Sequence, residues 1–228
     1  ADTLMAKNFL DQVNAYFSNP KVVAASGNLR VLNRDTNFLT KLQSYEYLIA
    51  FDIGRRLQAL FRTLLIVPGA AQVIRRFALE SMGAYDIVVG EDFDMTLKVH
   101  KVRGRVIFMP EAYTWTEVPT TWRSWLRQRI RWHKSQIRVL IKHRDFFFRR
   151  IYGLPGMLGA PDMVLMDMVM LLVRPAWFIY FLTVFHWLAM LPALFLFYIV
   201  TEVHTLLGAL SVTRWPKEDL KHSYLFPI

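Results

Sequence analysis

Apolar residues recur at helical spacing through residues 4–17, where Leu4, Met5, Phe9, Leu10, Val13, Tyr16 and Phe17 share one face. The spacing predicts a helix there, ended by Asn19-Pro20. Residues 22–25 read as a short buried strand, and Gly27-Asn28 as a turn. A second helical period runs over 38–62 through Leu39, Leu42, Tyr45, Ile49, Ile53, Leu57, Leu60 and Phe61. Residues 64–67 read as a strand closed by Pro68-Gly69, and a helix near 74–82 ends at Gly83. Gly90 precedes an acidic helix start, and residues 106–109 read as a strand stopped by Pro110. This alternation predicts an α/β layered domain, with no internal repeat and no low-complexity linker.

The pattern changes after residue 120. Residues 120–144 predict a basic helix, and from 123 to 150 there are ten Lys or Arg against one acid, Asp145. Phe146, Phe147, Phe148, Ile151 and Tyr152 follow directly, a combination suited to an anionic membrane surface. A solvated basic face or a nucleic-acid patch are the plainer readings. Residues 163–200 hold only Asp167, Arg174 and His186 as acidic, basic or histidine side chains. With 201–212 added, the stretch suits two membrane spans, near 163–182 and 188–211, joined by a turn near 183–187. One long tilted span with an interfacial segment is the alternative. Arg214, Lys217 and Lys221 follow the second span, so basic flanks on both sides predict an even number of crossings. Asp167 and Arg174, seven residues apart, are expected on one helix face; His186 and His204 receive no role.

Composition sharpens this division. The 228 residues are 54% hydrophobic and 20% charged, which excludes a disordered chain, and the net charge is +10 despite a mean hydropathy of +0.24. Twenty-four of the 28 Lys and Arg lie before residue 163, so a basic water-facing part precedes an apolar one. The absence of cysteine excludes thiolate metal sites, thiol nucleophiles and disulfides. The start at Ala1-Asp2-Thr3 and the apolar stop at Leu225-Phe226-Pro227-Ile228 suggest truncation at both ends.

Three clusters could do chemistry. Asp2 could hold a hard divalent cation beside a diphosphate, or cap the helix expected at 4–17. In Gly90-Glu91-Asp92-Phe93-Asp94, a carboxylate at a loop–helix junction could serve as a general base, or simply complement the helix dipole. In Gln128-Arg129-Ile130-Arg131-Trp132, the spacing puts Gln128, Arg131 and Trp132 on one helix face. An amide, a guanidinium and an indole together suit a phosphorylated sugar; a basic interfacial helix with a Trp anchor is the alternative.

Taken in order, these clusters resemble the membrane-bound, processive family 2 glycosyltransferases, which include the synthases of cellulose, hyaluronan, chitin and poly-N-acetylglucosamine. Gly90-Glu91-Asp92 resembles their Glu-Asp motif, and Gln128 to Trp132 their Q-x-x-R-W motif. Ala1-Asp2-Thr3 resembles the tail of a D-x-D-T element, and Gly27 to Arg30 and Val67 to Ala70 fall where the family has substrate-lining loops. Ser44 to Arg56 and Thr116 to Trp122 most resemble the poly-N-acetylglucosamine branch. The F-x-V-T gating motif of cellulose synthases is not visible, though Gly153-Leu154-Pro155-Gly156 could supply another gate.

The resemblance implies the C-terminal part of a GT-A domain followed by a transmembrane helical hairpin. The expected boundaries are a partial catalytic domain over 1–122, basic and interfacial helices over 123–162, two membrane helices over 163–212 and a cytoplasmic segment over 213–228. It implies an inverting, processive transfer from a UDP-sugar, N-acetylglucosamine being the choice, to a growing β-linked glycan at the plasma (inner) membrane, with the catalytic part cytoplasmic. Asp92 would be the general base, Asp2 a ligand of Mg²⁺ or Mn²⁺, and Glu91, Gln128, Arg131 and Trp132 substrate contacts. Implied partners are the donor, the acceptor glycan, the lipid bilayer and accessory export subunits, but no nucleic acid. A single transfer to a lipid acceptor and a non-catalytic membrane scaffold are the competing functions.

Overall fold

A mixed four-stranded sheet, in the order β1-β4-β2-β3, underlies the domain in the computed structural model, which describes residues 2–86, 89–184 and 187–223. Its centre is the parallel pair β2 (Val22–Val31) and β4 (Arg105–Thr116), with β1 (Thr3–Met5) and β3 (Gln72–Ile74) antiparallel at the edges. Ala24, Leu29, Val31, Val106 and Phe108 from the central strands bury against Tyr47, Phe51, Leu64 and Val99, which forms the main core.

The helix expected over 4–17 is divided. Thr3, Leu4 and Met5 pair with Thr116, Trp115 and Thr114 as β1, and helix α1 covers only Phe9–Phe17. The ladder along β4 outweighs the local helical pattern. Asp2 is therefore no helix cap; that position belongs to Asn8.

Gly27-Asn28 is no turn and Pro110 is no stop, for one shared reason. Both strands run through, and the register jumps from Gly27–Met109 to Asn28–Tyr113, so residues 110–112 bulge out of the pairing. A proline without an N–H fits such a bulge. Gly27 is needed because a Cβ there would lie 2.8 Å from the Ala112 carbonyl oxygen. Asn28 secures the bulge by donating from Nδ2 to the Pro110 carbonyl at 3.1 Å.

Residues 64–67 form no ladder, although Leu64, Leu65 and Val67 are buried. Side chains of helix α5 (Glu91–Lys101) satisfy their backbone instead. His100 Nε2 donates to the Leu64 carbonyl at 2.8 Å, and the Val67 N–H donates to Thr96 Oγ1 at 3.2 Å. Burial depresses His100 to about 4, so it makes that bond as a neutral ring. The helical period over 38–62 resolves into α2 (Phe38–Leu48), a π-helical segment at Ile49–Arg55 and α3 (Arg56–Leu60). Asn37 and Thr40 close a reciprocal capping box at its start. The expected helix near 74–82 is α4 (Arg76–Ser81).

Helix α6 (Trp122–Lys142) is the basic helix, capped by Thr121 Oγ1, which accepts from the Ser124 N–H at 3.3 Å. It is fastened to α5 at its C-terminal end. Buried Asp94 accepts from Lys142 Nζ at 2.6 Å and from His143 Nε2 at 2.9 Å. Burial alone would raise the Asp94 carboxyl, but these two bonds outweigh it and hold it below its ordinary value. A folded value below the unfolded one stabilises fully above about pH 4 and is lost as pH falls through the folded value. Asp94→Asn is therefore expected to cost about 2 kcal/mol at neutral pH, the worth of a hydrogen bond to a charged group. Urea titration should show that difference shrinking below pH 4.

Two helical stretches are long and apolar enough to cross a membrane, Pro155–Val184 and Leu191–Val212, each with mean hydropathy 1.7. The first starts earlier than the expected 163, because short α7 (Ala160–Met163) and two π-helical segments run continuously into α8 (Met170–Val184). Only 6% and 11% of their apolar windows are buried, so most of this apolar surface is exposed. Residues 185 and 186, with His186 and part of the expected turn, lie outside the described residues, as do Ala1 and 224–228. Asp167 and Arg174 do not pair: the π-helical turn at Val164–Val169 shifts the register, Asp167 accepts from Gln136 Nε2 at 3.4 Å, and Arg174 is exposed.

The second apolar helix, α9 (Trp187–Val212), returns to the domain. Leu206 and Ala209 pack on Tyr45 and Leu48, and Tyr45 donates its hydroxyl to Glu202 at 2.6 Å. The chain then enters α10 (Pro216–Ser223) against α2. Buried Arg30 ties this end to the sheet through Asp52, Asp219 at 3.2 Å and Thr213 at 2.8 Å.

Candidate functional site

The C-terminal ends of β1's partner strand and of β2, the π-helical segment, the 66–70 loop, the start of α5 and one face of α6 enclose a cleft of about 440 Å³. Asp2, Asp92, Gln128, Arg131 and Trp132 all line it. Five of the six residues singled out from the sequence thus meet in one place, from segments as far apart as residues 2 and 132. The sixth, Glu91, is exposed in a small adjoining pocket of about 250 Å³, shared with Gly69, Gln72, Tyr85 and Asp92.

Asp92 sits in the first turn of α5. Gly90 precedes it with φ +95°, a left-handed conformation that glycine adopts without strain. A Cβ at Gly90 would also lie 2.9 Å from the Ser135 side chain, so glycine lets α5 begin directly beneath α6. One Asp92 oxygen accepts from the Phe93 N–H at 2.8 Å, the other from the Gly69 N–H at 3.3 Å. Those two bonds favour the charged carboxylate, but burial, helped by the neighbouring Glu91 charge, prevails and raises Asp92 above its ordinary value. The result is an aimed carboxylate of increased basicity.

The α6 face opposite carries three different states of readiness. Arg131 is exposed and makes no ion pair or side-chain hydrogen bond among the described residues, so its guanidinium is available to an incoming anion. Gln128 Oε1 is buried without a hydrogen-bond partner, an acceptor waiting for a donor. Trp132 is half-buried, with one ring face covered by Arg129, whose guanidinium carbon lies 4.6 Å from the ring centroid.

Of the loops expected to line a substrate, Pro68, Gly69, Ala70 and Leu29 do so. Arg30 does not; it belongs to the buried network under the sheet. Gly153 to Gly156 does not line the cleft either, and Gly156 packs against the Phe146 carbonyl.

Glu46, Tyr47, Phe51, Arg55 and Arg129 also line the cleft without having been given a role. The first four lie within a periodic apolar stretch that reads as an ordinary core helix. The wide turns at Ile49–Arg55 bring Phe51 and Arg55 to the cleft, and helical spacing cannot show such a widening. The available signal was charge: Glu46, Asp52, Arg55 and Arg56 are charged positions within a largely apolar stretch. Burial lowers Arg55 to about 10, opposed by the Asp167 and Asp92 charges, so it remains a cation at neutral pH.

Among the described residues no group of three or more His, Asp or Glu side chains converges as a complete metal cage. A cation of the Mg²⁺ type asks for less: one or two carboxylates plus substrate phosphates and water. Asp2, a hard oxygen donor in the same cleft as a free arginine, fits that incomplete donor set.

The chain is similar to several characterised or named proteins. It is 29% identical over 133 residues to the probable glycosyltransferase YdaM of Bacillus subtilis, covering 58% of this chain and 32% of that one. It is 30% identical over 150 residues to the hyaluronan synthase of Streptococcus pyogenes, covering 62% and 36%. Over 169 residues it is 28% identical to chitin synthase 6 of Pyricularia oryzae, covering 62% and 9%. The chain therefore spans about a third of the length of the first two relatives. The fold is similar to that of the mannosyltransferase PcManGT of Pyrobaculum calidifontis, solved in complex with GDP-Man and Mn2+, at TM-score 0.56 and 19% identity, covering 95% of this chain and 63% of that one. This agrees with the expected GT-A type of α/β fold. Residues 1–208 match the model for Glycosyl transferase family group 2, and with more than half of its length accounted for, the chain belongs to that family.

Proposed function

We propose that this chain belongs to a membrane-bound, inverting glycosyltransferase that extends a β-linked glycan from a UDP-sugar, with UDP-N-acetylglucosamine as donor. The observation that carries this is the single cleft holding a basic carboxylate, Asp92, across from the free guanidinium of Arg131 and the unpartnered Gln128 Oε1. The likeness to hyaluronan and chitin synthases supports polymer extension. The two apolar helices support a membrane protein, and the basic segments flanking them favour the cytoplasmic side of the plasma (inner) membrane for the cleft.

In this reading Arg131 holds the donor's diphosphate, and Gln128 and Trp132 orient the acceptor's terminal sugar. The acceptor hydroxyl oxygen forms a bond to the anomeric carbon while the bond from that carbon to the diphosphate breaks. The hydroxyl proton passes to Asp92, and UDP leaves with the bonding electrons. Attack from the face opposite the leaving group inverts the anomeric centre. Asp2 would hold the Mg²⁺ or Mn²⁺, which when bound neutralises charge on the diphosphate; PcManGT, solved with GDP-Man and Mn2+, is the analogy. Glu91 acts on Asp92 through its charge.

The test uses the full-length protein in membrane vesicles with UDP-N-acetylglucosamine and Mg²⁺, following UDP release and product size. High-molecular-weight product is expected. One sugar on an extractable lipid would favour the single-transfer alternative, and no release with any nucleotide sugar would leave the scaffold reading.

The electrostatics of the Glu91–Asp92 pair give a second, independent check. A base with a raised pKa loses activity as pH falls at a higher pH than an ordinary carboxylate does. Removing the neighbouring charge in Glu91→Gln lets Asp92 ionise more easily. The acid limb of kcat/KM is therefore expected to move to lower pH, whatever the height of the plateau. An unmoved limb would mean that another group controls it.

A further inference from the structure

Arg129 lines the same cleft as its neighbour Arg131 but differs from it in burial and in partners. It is half-buried, and its two Nη atoms form a fork onto the Glu46 carboxylate at 2.5 and 2.6 Å. Its guanidinium carbon lies over two indoles, 4.6 Å from the Trp132 ring centroid and 5.4 Å from that of Trp125. A guanidinium with both ends of its fork engaged is unavailable to a phosphate. What it can do is fix a ring.

Glu46 is itself firmly placed. It stands on α2, whose start is held by the Asn37–Thr40 capping box. Asn37 Nδ2 donates to the Thr120 carbonyl at 2.8 Å, and Gln43 Nε2 to the Pro119 carbonyl at 2.8 Å. Both bonds pin α2 to the segment that leads into α6. A chain of rigid contacts thus runs from α2 through Glu46 and Arg129 to the indole of Trp132 at the cleft wall.

We propose that Glu46 and Arg129 are positioning residues: they lock the Trp132 indole in the orientation that receives the acceptor's terminal sugar. This rests on the acceptor role given to Trp132 above. An unclamped indole beside an open cleft would sample several rotamers, and each acceptor binding event would have to restore the right one. The clamp removes that cost before the glycan arrives.

The experiment measures UDP release by the full-length protein in vesicles while varying, separately, UDP-N-acetylglucosamine and short β-linked N-acetylglucosamine oligomers. Glu46→Gln is expected to raise the acceptor KM about tenfold, the scale of a desolvated cation–π contact, while changing the donor KM by less than about twofold. Glu46→Asp, which keeps the charge, should recover part of the loss. Arg129→Lys, which keeps a cation but not the fork, should resemble Glu46→Gln. In a Trp132→Ala background, Glu46→Gln should add almost nothing, because its target is gone. Additive losses, or equal changes in both KM values, would overturn the clamp and leave a purely structural ion pair. Wild-type acceptor dependence in Glu46→Gln would overturn it as well. Failure of the unmutated protein to release UDP from any donor would instead overturn the enzyme reading, and the clamp with it.

Discussion

Asp92→Asn is expected to lower UDP release by about 10²- to 10⁴-fold, the usual worth of a general base, with the fold intact. The amide can still accept from the Gly69 or Phe93 N–H, so the α5 junction keeps an anchor. It cannot take the acceptor's proton. Stability should be unchanged or slightly higher, and the sign follows from Asp92's raised pKa: its charged form is disfavoured in the folded protein, chiefly by burial. A neutral isostere removes that penalty together with the repulsion from Glu91. Loss of turnover accompanied by a lowered melting temperature would point to a structural role for the carboxylate. Turnover close to wild type would remove Asp92 from the mechanism. The useful contrast is Asp94→Asn, two residues away, which should lose stability and retain the pH profile of the reaction. Two aspartates in one helical turn thus separate chemistry from architecture, because one faces the cleft and the other is buried under Lys142 and His143.

Much of the cleft lining was legible in the sequence because the candidate residues lie at short local spacings. Gln128, Arg131 and Trp132 share a face on any regular helix, and Gly90 before an acidic turn predicts a helix start from dipole physics alone. What could not be seen is what depends on distant backbone. The strand at Thr3–Met5 exists because β4 offers it a ladder, and its local pattern is as good for a helix. The run over 64–67 looks like a strand by composition, yet its hydrogen bonds go to His100 and Thr96 side chains 36 and 29 residues away. Pro110 reads as a terminator until the register jump opposite Asn28 makes room for it. Arg129 and Glu46 are anonymous as letters. Only their approach across 83 residues distinguishes the engaged arginine of the α6 motif from the free one.

The second large effect is expected at Asp52, a residue with no part in the chemistry. Its carboxylate is buried between Arg30, Arg56 at 3.6 Å and the Asn28 amide at 3.1 Å. Arg30 extends the network to Asp219 and Thr213, beyond the second apolar helix, while Arg56 donates to the Val212 carbonyl at 3.1 Å. Asp52→Ala strands a buried guanidinium with one remaining carboxylate, and loss of one partner from a buried ion pair costs about 3–5 kcal/mol. Urea or thermal unfolding in detergent should register that loss. Replacing the pair together, Arg30→Met with Asp52→Leu, removes the unpaired charge and should cost much less than Asp52→Ala alone. A double variant as unstable as the single one would mean that packing, and not charge pairing, decides the site. Activity should follow, since Asp52 lies in the same wide helical turns that present Phe51 and Arg55 to the cleft. The network therefore joins the end of the second apolar helix to a wall of the cleft through four buried or half-buried charges, and its loss should be felt at both ends.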